Sequence, residues 1–339
     1  MEILVDIYGA DDGISPAIDG TIQVINNIEC NVKLVGNTSE ILEYIKEKYK
    51  KSSVEEISTK LSILHAETFI GNNEEPAMAI KNKKDSSIVV AYEYMKDNEK
   101  TAFLSAGCTG AVMAGALLKL GRIPGIHRPG LATIIPTQNR RGVVFIDSGA
   151  NPNAKEISLV QYAMLGKLYS KYVLGKENIK IALLNIGAEE EKGTPELKET
   201  YKMLKETYPE FNGNVEARHI VSSDNDVIVC DGLQGNIALK SLEGAVMVLK
   251  DELSSKFKSS FINKIKAILV KDLIKSAFLT YDYRESGGGV LLGVKKPVVK
   301  IHGASKQKSF ISGLKQVDSI MKANIIEHIK EEIELNKNN

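Results

Sequence analysis

The 339-residue sequence contains no tryptophan and only three cysteines, Cys30, Cys108 and Cys230. The cysteines are odd in number and widely spaced, with no Cys-x-x-Cys pair, so neither a disulfide framework nor a structural zinc site is indicated. That usage fits a reducing cytoplasm. The missing tryptophan and the low aromatic content count against a carbohydrate-binding surface. No run of about 18 apolar residues occurs, so no transmembrane helix is expected. The opening residues, Met1-Glu2-Ile3-Leu4-Val5-Asp6, lack a basic leader and a long apolar core; they read as a β-strand and not as a signal peptide. An excess of charge of one sign is absent too. Lys and Arg (44) nearly balance Asp and Glu (43), so no global field draws the chain to nucleic acid or to a membrane, and any such attraction must be local. With no metal-ligand spacing and no G-x-G-x-x-G, neither a metal nor a dinucleotide cofactor is expected.

What is present is an alternation of short apolar runs with helical patterns. Ile3 to Tyr8, Val32 to Gly36, Leu61 to His65, Ala102 to Ser105, Gly142 to Asp147, Lys180 to Asn185 and Val227 to Cys230 read as strands. Glu40 to Lys48, Ala111 to Leu120, Ser158 to Tyr172 and Pro195 to Thr207 read as helices between them, and Ser312 to Leu335 as one long terminal helix. The length allows one large α/β domain or two modest ones, and the rhythm predicts an α/β fold with a mostly parallel sheet between helical layers. In such sheets ligands gather at the carboxyl ends of the strands.

Four strand-to-helix junctions hold the candidate residues. In Ser105-Ala106-Gly107-Cys108-Thr109-Gly110-Ala111, small residues allow close backbone approach, and a helix start offers unpaired amides that suit phosphate; close helix–sheet packing is the alternative. Asp147-Ser148-Gly149-Ala150-Asn151 places an amide, Asn151, beside an acidic turn that is otherwise an Asx turn. Asn185-Ile186-Gly187-Ala188-Glu189-Glu190-Glu191-Lys192-Gly193 brings one lysine after three carboxylates, either reaching inward or lying on a solvated surface. Cys230-Asp231-Gly232-Leu233-Gln234-Gly235-Asn236 sets Asn236 where a helix begins, as its N-cap or as a donor to a substrate oxygen. Glycine turns, one lysine and several amides suit anion binding and carbonyl polarisation.

Taken together, these segments resemble the phosphate acyltransferase family of bacterial phospholipid synthesis. Val5-Asp6 through Asp11, the Cys108 turn, Leu120-Gly121-Arg122-Ile123-Pro124-Gly125, Asp147 to Asn151, Asn185 to Gly193, Gly213 to Arg218, Cys230 to Asn236, Asp282-Tyr283 through Leu291-Leu292-Gly293 and His302-Gly303-Ala304-Ser305 follow the family's motifs in order. Departures from them include three substitutions and a slightly longer segment over Asp12 to Ser15. Cys108 stands where the family carries asparagine, and Ala10 and Ala217 stand where it carries glycine. An amide both donates and accepts, whereas a thiol is a weak donor.

The resemblance implies a Rossmann-like three-layer sandwich, a single domain over residues 1–339, related to the isocitrate and isopropylmalate dehydrogenases and the phosphotransacetylases. It also implies a cytoplasmic homodimer in peripheral contact with the inner face of the membrane, and transfer of an acyl group from acyl carrier protein to inorganic phosphate. Lys192, Asn236, Asn185 and Asp231 are then the catalytic candidates, Lys192 and Asn236 meeting the developing charge while Asn185 and Asp231 orient them. Asp6, Gly107, Cys108, Thr109, Gly110, Asn151 and His302 are the candidates for binding phosphate or substrate. Cys108 is either a space-filling residue or, at a helix start, a nucleophile. Residues 249–281 combine Phe257, Phe261, Ile265, Ile268 and Leu269 with Lys256, Lys264, Lys266, Lys271 and Lys275. Val270 and Ile274 break this apolar stripe, so two helices with a bend are expected, pairing protomers and touching lipid or serving only as a dimer helix pair. The alternatives are a short-chain, phosphotransacetylase-like acyl-phosphate former and a silent paralogue that only binds carrier protein or membrane.

Overall fold

The computed structural model describes residues 1–280 and 287–338. In chain order the elements begin β1 (Glu2–Asp6), α1 (Ser15–Val24), β2 (Asn31–Gly36), α2 (Thr38–Tyr49), β3 (Leu61–His65), α3 (Pro76–Asn82), α4 (Ser87–Asp97), β4 (Thr101–Ser105) and α5 (Thr109–Gly115). A π-helical turn over Ala116–Leu120 extends α5, and β5 (Gly130–Ile135), β6 (Val143–Ile146), α6 (Glu156–Tyr172), β7 (Ile181–Asn185) and α7 (Pro195–Thr207) follow. Then come β8 (Phe211–Glu216), β9 (Val227–Val229), α8 (Gly232–Lys258), α9 (Phe261–Thr280), β10 (Gly289–Leu292), β11 (Val298–Lys300), α10 (Gln307–Lys322) and α11 (Ile325–Asn338).

These elements form two compact units, Met1–Ala132 with Leu168–Glu177 and Arg284–Asn339 as unit 1, and Thr133–Lys167 with Asn178–Tyr283 as unit 2. The strands of unit 1 run in the order β3-β2-β1-β4-β11-β10-β5. All neighbours from β3 to β11 are parallel, and β10 runs antiparallel to both β11 and β5. β1 and β4 bury nearly every residue, the pattern of strands covered on both faces. Helix α10 packs on β1 and β4 and against α1, while α4 packs across β1, β2, β3 and β4. The strands of unit 2 run β6-β9-β7-β8, all parallel. Their core gathers Phe145, Leu184, Val215, Ile228 and Cys230, with Ala238, Leu239 and Leu242 of α8 packed against it. Burial pushes the Cys230 thiol well above its usual range, so it stays a protonated core group whose Sγ–H donates to the carbonyl of Asp147.

The terminal segment differs from the sequence reading. It is two helices, because Asn324 adopts a left-handed φ of 48° between them, a conformation asparagine tolerates and a continuing helix does not. The two helices expected over residues 249–281 part at Ser259-Ser260, between α8 and α9, and not at Val270 and Ile274, which both lie inside α9. Asp282-Tyr283, and residue 281 of the expected segment, lie outside the described residues.

Candidate functional site

In unit 1 three junctions converge at the carboxyl ends of the neighbouring strands β1, β4 and β11. Asp6, at the end of β1, is almost fully buried. Its Oδ2 accepts from the Ser105 hydroxyl at 2.7 Å and its Oδ1 from the Tyr8 amide at 3.1 Å. Ser105 Oγ in turn accepts from the Gly107 amide at 2.9 Å. A carboxylate therefore braces the turn that leads into α5. Burial pushes the Asp6 carboxyl up to about 6, against the lowering effect of its hydrogen bonds. Asp6 is thus a strut beneath the turn, with its oxygens turned to the protein.

The turn itself is held by close packing. Gly9, at φ +88°, comes so near the second strand end that a Cβ there would lie 2.3 Å from Gly107 Cα; only glycine fits both the conformation and the space. Cys108 is the N-cap residue of α5 and makes no side-chain cap bond. Cys108, Thr109 and Gly110 are half-buried, and the space beside Gly110 is taken by Pro76 at the start of α3. The first-turn amides of α5 have no intrahelical acceptor. The third junction, after β11, joins the others through the Asp11 amide, which donates to Gly303 O at 2.9 Å, and the Ile301 amide, which donates to Ser105 O at 2.9 Å. There His302 is exposed, and its Nδ1 accepts from the Ala304 amide at 3.2 Å.

Unit 2 holds the other candidates. Asp147, fully buried at the end of β6, closes its turn with both oxygens. Oδ1 accepts from the amides of Gly149 and Ala150 at 3.0 and 2.7 Å, and Oδ2 from the backbone and side-chain nitrogens of Asn151 at 2.7 and 3.0 Å. Asn151 Nδ2 also donates to the Tyr162 hydroxyl at 2.8 Å. Its side-chain amide is thereby committed to fixing the turn.

Helix α8 starts hard against that turn, where a Cβ on Gly235 would lie 1.9 Å from Asp147 O. Asp231 is its N-cap and accepts from the Gln234 amide at 2.8 Å. The sequence reading offers Asn236 for that role. The cap falls five residues earlier because Asp231 ends the strand extension and Gly232 already lies in the helix. Asn236 is instead an exposed residue over Gly149, with its side chain on the outside of the helix start.

At the end of β7, Asn185 Nδ2 donates to Lys192 O at 3.1 Å and to Asn214 Oδ1 at 3.2 Å, and its Oδ1 accepts from the Ile186 amide at 2.8 Å. It folds the acidic loop back so that the stem of Lys192 passes Gly187. Lys192 is exposed, and Glu190 of the same loop pairs with Lys205 at 3.0 Å. Between this loop and α8 lies a pocket of about 510 Å³, lined by Asn185 and Ile186, by Arg218 and Ile220 after β8, and by Gln234 and Ile237. The sequence reading does not single out this pocket. Its signal is the spacing of Gln234, Ile237, Ala238, Ser241 and Leu242, a single helical face.

The structure thus gathers Asp6, Gly107, Cys108, Thr109, Gly110 and His302 in unit 1, and Asn151, Asn185, Lys192, Asp231 and Asn236 in unit 2.

A family model described as "Fatty acid synthesis protein" matches residues 1–328. A phosphate acyltransferase of Thermoanaerobacterium thermosaccharolyticum is 42% identical over 335 residues, covering 99% of this chain and 97% of the relative. One of Thermoanaerobacter pseudethanolicus is 40% identical over 335 residues, covering 98% of each. Among solved structures, the EutD phosphotransacetylase of Staphylococcus aureus superposes with a TM-score of 0.58 at 14% identity, covering 95% of this chain and 94% of that one. A 4-hydroxythreonine-4-phosphate dehydrogenase of Klebsiella pneumoniae gives 0.52 at 11% identity, covering 94% and 98%. At such identities these two likenesses speak for the fold, the α/β architecture shared by phosphotransacetylases and dehydrogenases.

Proposed function

Because the chain belongs to the phosphate acyltransferase family, we propose that it moves a fatty acyl group from the thioester of an acyl carrier protein onto inorganic phosphate. The products are an acyl phosphate and the free carrier thiol. The observation that carries this reading is identity of about 40% to phosphate acyltransferases along nearly the whole chain. The chemistry asks little of an acid, since a thiolate leaves readily. It asks for a held phosphate and for donors to the oxyanion of the tetrahedral intermediate.

Within unit 1, the first-turn amides of α5 with Thr109 suit phosphate, and Cys108 occupies the cap position without a side-chain cap bond. Asp6 holds this turn in shape from beneath. Within unit 2, Lys192 supplies positive charge, Asn236 an amide, and Asn185 and Asp231 fix the loop and the helix that carry them.

The second half of α8 and α9 as far as Leu273 suit self-association and lipid contact. Met247, Val248, Phe261, Ile262, Ile268 and Leu269 are exposed there, among Lys256, Lys264, Lys266 and Lys271. Such a basic, apolar surface fits a homodimer resting on the anionic inner face of a membrane. No helix among the described residues is long and apolar enough to cross one.

The test is incubation of purified protein with long-chain acyl carrier protein, with and without phosphate, trapping acyl phosphate as hydroxamate. Phosphate-dependent hydroxamate is expected. Its absence beside a working positive control would overturn the reading.

A further inference from the structure

The pocket of unit 2 has a chemistry that the transfer step alone does not explain. Its volume of about 510 Å³ falls within the ordinary range for small-molecule sites. Its walls are Leu184 of β7, Leu197 of α7, Ile220 and Val221, and Ile237 and Leu242 of α8. No carboxylate is among the described residues that line it. Its polar side chains are Asn185, Gln234, Arg218 and Ser241; Arg218 is turned to Glu216, 2.9 Å away.

The pocket also has a direction. Gln234, Ile237, Ala238, Ser241 and Leu242 line it along one face of α8, which at 1.5 Å per residue spans roughly 12 Å. A smaller void of about 20 Å³ shares Val221 and Leu242 and carries the same helix face on to Val246. At the other end stand Asn185 and the first turn of α8. There the Asn185 amide bonds to the backbone of Lys192, and Asn236 sits two residues past Gln234. Ile186, Leu233 and Ile237 remain exposed around this end.

We propose that this groove holds the hydrocarbon tail of the acyl substrate, with the tail running along α8 from Asn185 toward Val246 and the thioester carbonyl at the Asn185 end. The assignment rests on the acyl-transfer reading. It adds the place in the molecule that recognises the chain and that sets which chain lengths are accepted. One end offers amides and a lysine, which suit a carbonyl. The other offers the mainly aliphatic wall of Ile135, Pro136, Val221, Leu239, Leu242 and Val246, with the Glu243 carboxylate there paired to Lys240 at 2.7 Å; such a wall suits methylene groups, each worth about fourfold in binding when buried.

Ser241 is exposed and lines the groove midway along the helix, so Ser241→Phe fills it without disturbing the core. With palmitoyl and butyryl carrier-protein donors in the hydroxamate assay, the variant is expected to lose on the order of 100-fold in kcat/KM for palmitoyl, the cost of displacing about four methylenes. The butyryl rate should stay within about threefold of the unsubstituted enzyme, because so short a chain stops before Ser241. Equal losses for both donors, or no loss for either, would overturn the assignment; the latter is the result if a second copy of the chain covers this face.

A measurement that needs no turnover separates this idea from the activity itself. A palmitoyl thioester bearing a terminal photoactivatable diazirine is expected to label peptides containing Val221 or Leu242 to Val246, and to lose that labelling in Ser241→Phe. Labelling confined to other peptides would refute the groove even if acyl phosphate is formed. Correct labelling without acyl phosphate would refute the activity and leave the groove standing.

Discussion

Replacing Asp6 by asparagine should change how the stability of the protein depends on pH, and the size of the change follows from the burial of the carboxylate. In the folded chain Asp6 titrates at about 6, against 3.8 for an ordinary aspartate, with burial as the cause. A gap of about two units corresponds to roughly 3 kcal/mol. Below 3.8 both folded and unfolded chains hold the proton, and the raised value costs nothing. As the pH rises from 3.8 towards 6 the unfolded chain releases its proton while the folded chain keeps it, so stability falls. Above about 6 both are ionised and the full cost persists. An asparagine at this position has no proton to release and escapes the slope, although it forfeits part of the bonding to Ser105 and Tyr8. Urea unfolding of both proteins, followed by circular dichroism, should therefore show a stability difference that shifts in favour of Asp6→Asn by roughly 2 to 3 kcal/mol between about pH 4 and about pH 7. Comparing the two proteins cancels every other titrating group. Parallel curves, offset by a constant amount at all pH values, would refute the argument.

Two further outcomes follow from unit 2. Lys192→Ala should lower kcat by on the order of 100- to 1000-fold, the usual loss for a donor to a developing oxyanion, with an unchanged melting temperature because the side chain is exposed; a near-normal rate would remove it from the mechanism. Asp147→Ala should destabilise the protein by about 3 kcal/mol in urea unfolding, since four N–H groups lose their acceptor and some of them are screened from water; a loss below about 1 kcal/mol would show that water replaces the carboxylate at little cost.

Legibility in the sequence tracks how far each element's stability is local. The seven strands read from apolar runs are present with boundaries within two residues of the reading; β1, β4, β6, β7 and β9 are buried along nearly their whole length and are therefore apolar throughout or nearly so. The strand β8, Phe211-Asn212-Gly213-Asn214-Val215-Glu216, carries the composition of a turn. It is a strand because β7 provides the partner. β11 has only three residues, and β4 and β10 hold it on either side. β5, an apolar run between Pro129 and Pro136, is absent from the strands read by rhythm, because no helix separates it from β6. Helix α1 carries Pro16 in its first turn, where proline is at home, and Gly20 in its middle, where close packing against Phe310 of α10 outweighs the helix cost of glycine.

The site is legible as positions more than as roles. Asp6 and Asn151 read as ligand contacts; in the folded chain the Asp6 oxygens accept from Ser105 and Tyr8, and Asn151 Nδ2 donates to Asp147 and Tyr162. Motif spacing marks a position without saying whether its side chain faces a ligand or braces the backbone around it. The groove along α8 escapes because its apolar residues have the same period as a core-facing helix.

The strand order of unit 1 has a consequence for synthesis. β4 pairs with β1 on one side and with β11 on the other, yet about two hundred residues separate β4 from β11 along the chain. At bacterial-scale elongation rates that interval lasts roughly 10 to 40 seconds. For that time one hydrogen-bonding edge of an apolar strand awaits its native neighbour, and such an edge is a template for pairing with other chains. The four parallel strands of unit 2 all emerge within the interval and can pair among themselves. The nascent chain thus carries an open edge on β4 until β11 is made, which makes β4 a place where a chaperone would be of use.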